Sequence, residues 1–69
     1  MFIRTQDKGL VINTELVSNI YVNPGHTKIY AESDNGLVFD LGDYPKKNAM
    51  DALERLLNAI SEDRRYYEM

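Results

Sequence analysis

An α+β domain, a small antiparallel sheet of about five strands with a C-terminal amphipathic helix packed on one face, is predicted by three features of this chain. Ala49, Ala52, Leu53, Leu56, Leu57 and Ile60 recur with the spacing of a single helical stripe. The residues before them form short runs rich in Val, Ile and Tyr, separated by Gly, Pro, Asn and Asp turn signals. A chain of 69 residues holds one domain, so the stripe and the strands must cover one another.

Residues 2–5 and 10–13 read as two short strands joined through Asp7-Lys8-Gly9, with Gly9 expected at positive φ. Loops of about two or three residues both leave an apolar face, so this register stays open. Thr14 is placed as the cap of one helical turn, with Leu16 or Val17 pointing inward. Ile20-Tyr21-Val22 forms the next strand, broken by Asn23-Pro24-Gly25, and pairing resumes over residues 28–33. The register that keeps like with like sets Val22 against Ile29 and Tyr21 against Tyr30.

For the turn at Asp34-Asn35-Gly36 the hydrophobic pattern decides. Closing as Asn-Gly alone mixes the two faces, whereas the longer loop pairs Ser33 with Leu37, Ala31 with Phe39 and Ile29 with Leu41. The longer loop is expected, with Gly36 left-handed at a bulge. One face of the meander then carries Ile20, Val22, Ile29, Ala31, Phe39 and Leu41. The other carries Tyr21, Lys28, Tyr30, Glu32, Val38 and Asp40. The β-rich part is expected over 1–43, the helix over about 45–63 with Pro45 at its first position, and a frayed tail over 64–69. Arg64 and Arg65 would complement the helix dipole. The expected core is Ile20, Val22, Ile29, Phe39, Leu41, Leu53, Leu56, Leu57 and Ile60.

So small a domain buries only about 60% of its unfolded surface. Cysteine is absent and His26 is the single histidine, so disulfides are excluded and a metal site is not expected. Self-association or a well-packed monomer is left as the way to stability, and a homodimer is expected ahead of the monomer. Eight Lys and Arg against eleven Asp and Glu give a net charge of −3, which makes nucleic acid an unlikely partner. The opening residues predict no leader, and no apolar run reaches the roughly 20 residues of a membrane span. A cytoplasmic protein is expected.

No enzyme is expected. Nucleophilic catalysis needs an activated nucleophile beside an oriented base, and His26 lies in a Pro-Gly turn. Asp40 and Asp43 flank a strand end with little burial to shift their titration. The glycines stand singly, without the clustering of a phosphate loop, and Asp34-Asn35-Gly36 lacks the ligand spacing of a calcium loop. No cofactor is expected. The candidate partner-binding residues are Tyr21, Tyr30, Val38 and Lys28, because tyrosine buries area while keeping a polar tip. Either this face forms an interface or the N-terminal hairpin covers it and closes a small barrel. Lys46 and Lys47, at the start of the helix, are a candidate anion contact.

The opening Met1-Phe2-Ile3-Arg4-Thr5-Gln6-Asp7-Lys8 resembles the start of a family of small uncharacterised proteins of Gram-positive bacteria, their plasmids and phages. Asn19-Ile20-Tyr21, Leu41-Gly42-Asp43-Tyr44 and Ala52-Leu53-Glu54-Arg55-Leu56 extend the likeness, while Pro45-Lys46-Lys47 departs from it. The resemblance implies a mobile-element or phage accessory protein and brings no functional residues with it. The order of elements is also similar to small SH3-like chromatin proteins of archaea, without their basic surface. The expected function is a non-enzymatic protein-interaction module, with a small-ligand or nucleotide-binding protein at a dimer seam as the alternative.

Overall fold

The computed structural model describes the backbone of residues 1–69 and every side chain except that of Lys47. The strands are β1 (Phe2–Arg4), β2 (Val11–Asn13), β3 (Val17–Val22), β4 (Lys28–Ser33), β5 (Val38–Asp43) and β6 (Tyr66–Glu68). A 3-10 turn at Thr14–Leu16 precedes β3, and a second at Pro45–Lys47 precedes the helix α1 (Ala49–Ser61). The α+β class holds. The expected single sheet of about five strands does not: there are two sheets of three, ordered β2-β1-β6 and β3-β4-β5.

The meander β3-β4-β5 follows the apolar pattern closely. Val22 faces Ile29, Tyr21 faces Tyr30 and Ala31 faces Phe39. Ser33 donates its N–H to the Leu37 carbonyl at 2.8 Å and Gly36 has φ 88°, as the longer loop requires. One pair departs from expectation. The ladder shifts between Ile29 and Tyr30, so Ile29 meets Gly42 and Leu41 becomes the extra residue of a bulge. Leu41 remains fully buried. Gly42 lets the ring of Tyr44 lie over the backbone there, since a Cβ would lie 2.7 Å from that ring and displace it.

The first hairpin sets Ile3 opposite Ile12. Thr5 donates its N–H to the Leu10 carbonyl at 2.9 Å, enclosing residues 6–9 in the loop. The left-handed residue is Lys8 (φ 66°) rather than Gly9. Asp7 organises the loop by accepting from the Thr5 hydroxyl at 2.7 Å and the Gly9 N–H at 2.9 Å. Those bonds, the Thr5 hydroxyl first, hold its carboxyl below the usual carboxylate range. The following 3-10 turn is capped by Asn13, whose side chain accepts from Glu15 N–H. Thr14, expected as the cap, instead donates its N–H and hydroxyl to the Met1 carbonyl.

The helix is shorter than 45–63. Pro45 opens the 3-10 turn, Lys46 at φ 58° interrupts helical geometry, and α1 begins at Ala49. Its start is fixed from outside, where Ala49 N–H reaches the His26 carbonyl at 3.2 Å. The buried line runs Ala49, Ala52, Leu56, Ala59, and the small alanines let the helix sit close on β3 and β4. Leu57 and Ile60, expected in the core, stand on its shoulder and remain 47% and 42% exposed.

The helix ends in a Schellman turn. Arg64 N–H reaches the Ala59 carbonyl, Asp63 N–H reaches that of Ile60, and Asp63 takes the left-handed position at φ 58°. The last helical turn holds no basic residue, and Arg64 pairs with Glu62 at 2.9 Å rather than with the dipole. The reversal aims residues 66–68 along β1, which they join in parallel, Phe2 beside Tyr66 and Arg4 beside Glu68. The expected frayed tail is therefore a strand, tied at its ends by Phe2 N–H to the Arg65 carbonyl and Met69 N–H to the Arg4 carbonyl. Ile3 and Ile12 join Ile29, Ala31, Leu41, Ala49, Ala52 and Leu56 in one core, with Ile20, Val22, Phe39, Leu53, Tyr67 and Met69 packed around it.

Candidate interaction surface

In a strand successive side chains point to opposite faces, so burying Ile29 and Ala31 turns Lys28, Tyr30 and Glu32 outward. The neighbouring strands place Tyr21 opposite Tyr30, and Val38 opposite Glu32. The two tyrosine rings lie with centroids 5.6 Å apart and planes tilted by 38°. Such offset aromatic pairs hold each other in place across strands. Lys28 does not stand as a free cation beside them. Its Nζ lies 3.2 Å from Asp40 Oδ2, and that bond, with Asp43 adding to it, raises its titration above the ordinary lysine range. The four residues Tyr21, Tyr30, Val38 and Lys28 thus share one face.

The N-terminal hairpin does not cover that face. It contributes Ile3 and Ile12 to the core on the opposite side of the meander, the side that α1 also covers. Tyr21 is 39% exposed and Val38 52%. The outcome is an uncovered, partly aromatic patch with one ion pair at its border.

Other candidates are dispersed. Lys46 is exposed in the turn that precedes α1, so it does not sit on the first turn of the helix. The side chain of Lys47 lies outside the described residues. His26 takes φ 58° in the β3–β4 loop, where its carbonyl serves α1. Asp40 accepts the Gly42 N–H within the bulge and pairs with Lys28. Among the described residues no three His, Cys, Asp or Glu side chains gather in a way that could hold a metal ion. No described helix is long and apolar enough to cross a membrane.

Sequence reasoning missed a second apolar surface. A cleft of about 350 Å³ opens between β2 and β5, lined chiefly by Leu10, Val11, Ile12, Leu16, Leu37 and Phe39. Leu16 and Leu37 are the most exposed of its walls. Leu10 and Leu37 looked like ordinary strand-end residues, and nothing in the sequence said that β2 and β5 would face each other unpaired. Compared with family models, curated proteins and solved structures, the chain finds no match in any of the three.

Proposed function

We propose that this chain is a non-enzymatic protein-interaction module whose contact surface is the outer face of β3-β4-β5. The observation that carries the reading is the uncovered Tyr21–Tyr30 pair, already packed ring to ring and flanked by exposed Val38. Two rigid aromatic rings that present area at low conformational cost, with an ion pair at the rim, form the kind of surface partners use. An accessory role in a phage or other mobile element, acting on a host protein, fits the resemblance of the opening residues.

The test is a tyrosine-to-serine double variant, Tyr21→Ser with Tyr30→Ser. Both rings lie outside the buried core, so the fold should survive with a small fall in Tm. Wild-type protein on a column should retain a stoichiometric partner from its native lysate. The double variant should lose at least about 30-fold in affinity for it, the effect of removing one strong contact residue. Undiminished capture by the folded double variant overturns this assignment.

A further inference from the structure

The margins of the two sheets are β2 and β6 in one, β3 and β5 in the other. β2 and β5 face each other and are closed, since Gln6 N–H meets the Leu41 carbonyl at 2.8 Å and Asp34 N–H meets the Leu16 carbonyl at 3.1 Å. β6 is three residues long and carries Glu68. β3 is different. It runs six residues, Val-Ser-Asn-Ile-Tyr-Val, without a charge. Edge strands are commonly blunted by charge, proline or a bulge, and the bulge at Ser18 protects only the start of this one. Asn23 N–H bonds the Lys28 carbonyl at 3.1 Å. The alternation that follows gives Tyr21 and Asn19 to β4, while Ile20 and Val22 turn their N–H and C=O groups away from it. Among the described residues no other backbone group bonds to those outward groups. Beside the edge runs a groove of about 490 Å³, lined by Val17, Asn19 and Ile20 and by exposed Leu57 and Ile60 of α1.

We propose that a second copy of this chain pairs with the β3 edge, antiparallel about a two-fold axis at Tyr21, making one continuous sheet of the two meanders. The edge is complementary to itself. Asn19-Ile20-Tyr21-Val22-Asn23 reads polar, apolar, tyrosine, apolar, polar in either direction. With the axis at Tyr21, Ile20 of each copy meets Val22 of the other. Those are the residues whose groups are free, so each such pair exchanges both of its hydrogen bonds. An axis at Ile20 would set Val22 against the Ser18 bulge, and one at Val22 would set Ile20 against Pro24, which has no N–H to give. On the inner face, Val22 of the second copy falls beside Ile20 and extends apolar cover toward Leu57 and Ile60. On the outer face Tyr21 meets its own counterpart, with Tyr30 behind each. The tyrosine surface of one copy is thus completed by the other, as a row of rings across the seam. Neither β3 strand carries a charge, so the net charge of −3 sets no like charges against each other along the ladder. The pairing uses up both β3 edges, and the dimer is closed. It goes beyond the interaction-module reading and does not depend on what the tyrosine face captures.

The test is analytical ultracentrifugation of the full chain between micromolar and millimolar concentration, with two variants at the axis. Wild type should show a monomer–dimer equilibrium. Tyr21→Lys and Tyr21→Glu should each weaken it at least about tenfold, through the lost ring contact and the like charges set opposite each other. Mixed one to one, the two variants should dimerise again, because a Lys then faces a Glu only if residue 21 lies against itself. Tyr21 is 39% exposed on the outer face, so both variants should keep the fold, which circular dichroism checks. Amide exchange of wild type gives a reading that needs no variant. The Ile20 and Val22 amides should gain protection as concentration rises, while that of Tyr21, already bonded to β4, should change far less. A monomer at millimolar concentration overturns the proposal. So does a dimer that neither charge variant weakens, a mixture that stays monomeric, or Ile20 and Val22 amides that ignore concentration. If wild type stays monomeric while the tyrosine double variant loses its lysate partner, the module reading stands and the pairing falls.

Discussion

The two sheets are built on different terms. The meander uses strands of six residues, joined by tight local turns, with one face buried against α1 and the core. The other sheet, β2-β1-β6, is the outer one; it uses strands of three residues, and one of its two ladders joins residues 2–4 to residues 66–68 in parallel. Short strands gain little from each other, so the outer sheet depends on attachments: the Asp7 loop, the Met1 carbonyl on Thr14, and the Schellman turn that delivers β6. Length gives the meander extensive ladders of its own, whereas the outer sheet is held from its corners.

Three perturbations sharpen this contrast. The largest effect is expected from Ile3→Ala, which removes the fully buried centre of the outer sheet. It should cost about 2–4 kcal/mol. Amide exchange should quicken in β1, β2 and β6 well before β4, and uniform loss of protection would show the sheets to be one cooperative unit. A gain of about 0.5–1 kcal/mol is expected from Asp63→Gly, since aspartate pays a left-handed penalty that glycine avoids. Its Tm should rise and β6 should be better protected. A fall in Tm would mean that the carboxylate of Asp63 stabilises the turn in some other way.

The smallest effect concerns acid. The Glu68 carboxyl is held below its usual range by the Tyr66 hydroxyl first, then by Lys8, and Asp7 is held low by Thr5. A carboxyl whose folded pKa is depressed stabilises fully above its unfolded value and loses that contribution as pH falls through the folded one. The outer sheet should therefore loosen as pH drops below about 4, where unfolded carboxyls begin to protonate. Exchange rates at β6 should rise against those at β4 across that range. Replacing Glu68 with glutamine should flatten the difference.

The same contrast explains what could be read from the residues alone. The meander was legible because alternation and turn chemistry are local and agree, down to Tyr21 against Tyr30 and the left-handed Gly36. Its one surprise, Leu41 in a bulge, is an extra residue in the ladder that periodicity does not encode. The outer sheet was opaque because its determinants are non-local or disguised. Asp63 does a glycine's work in the Schellman turn, Lys8 does so beside Gly9, and no pattern tells Tyr66 that Phe2 awaits it. Leu57 and Ile60 fit the helical stripe but missed the core, because three alanines turned its midline away from them. Tyr21, Tyr30, Val38 and Lys28 were placed together by strand pairing. The cleft between β2 and β5 was invisible because neither strand's pattern shows that the two would face each other.

The parallel pairing of β1 with β6 also orders events during synthesis. A ribosome makes the chain in order, so β1 leaves the tunnel before its partner β6 does. The meander and helix can fold behind it, but that edge of β1 stays bare until residues 66–68 have emerged. Contacts between distant parts of a sequence form slowly, because the intervening chain must first be brought into place. The nascent protein therefore carries an open edge on β1 until β6 has been made, and β6 is the element that closes it.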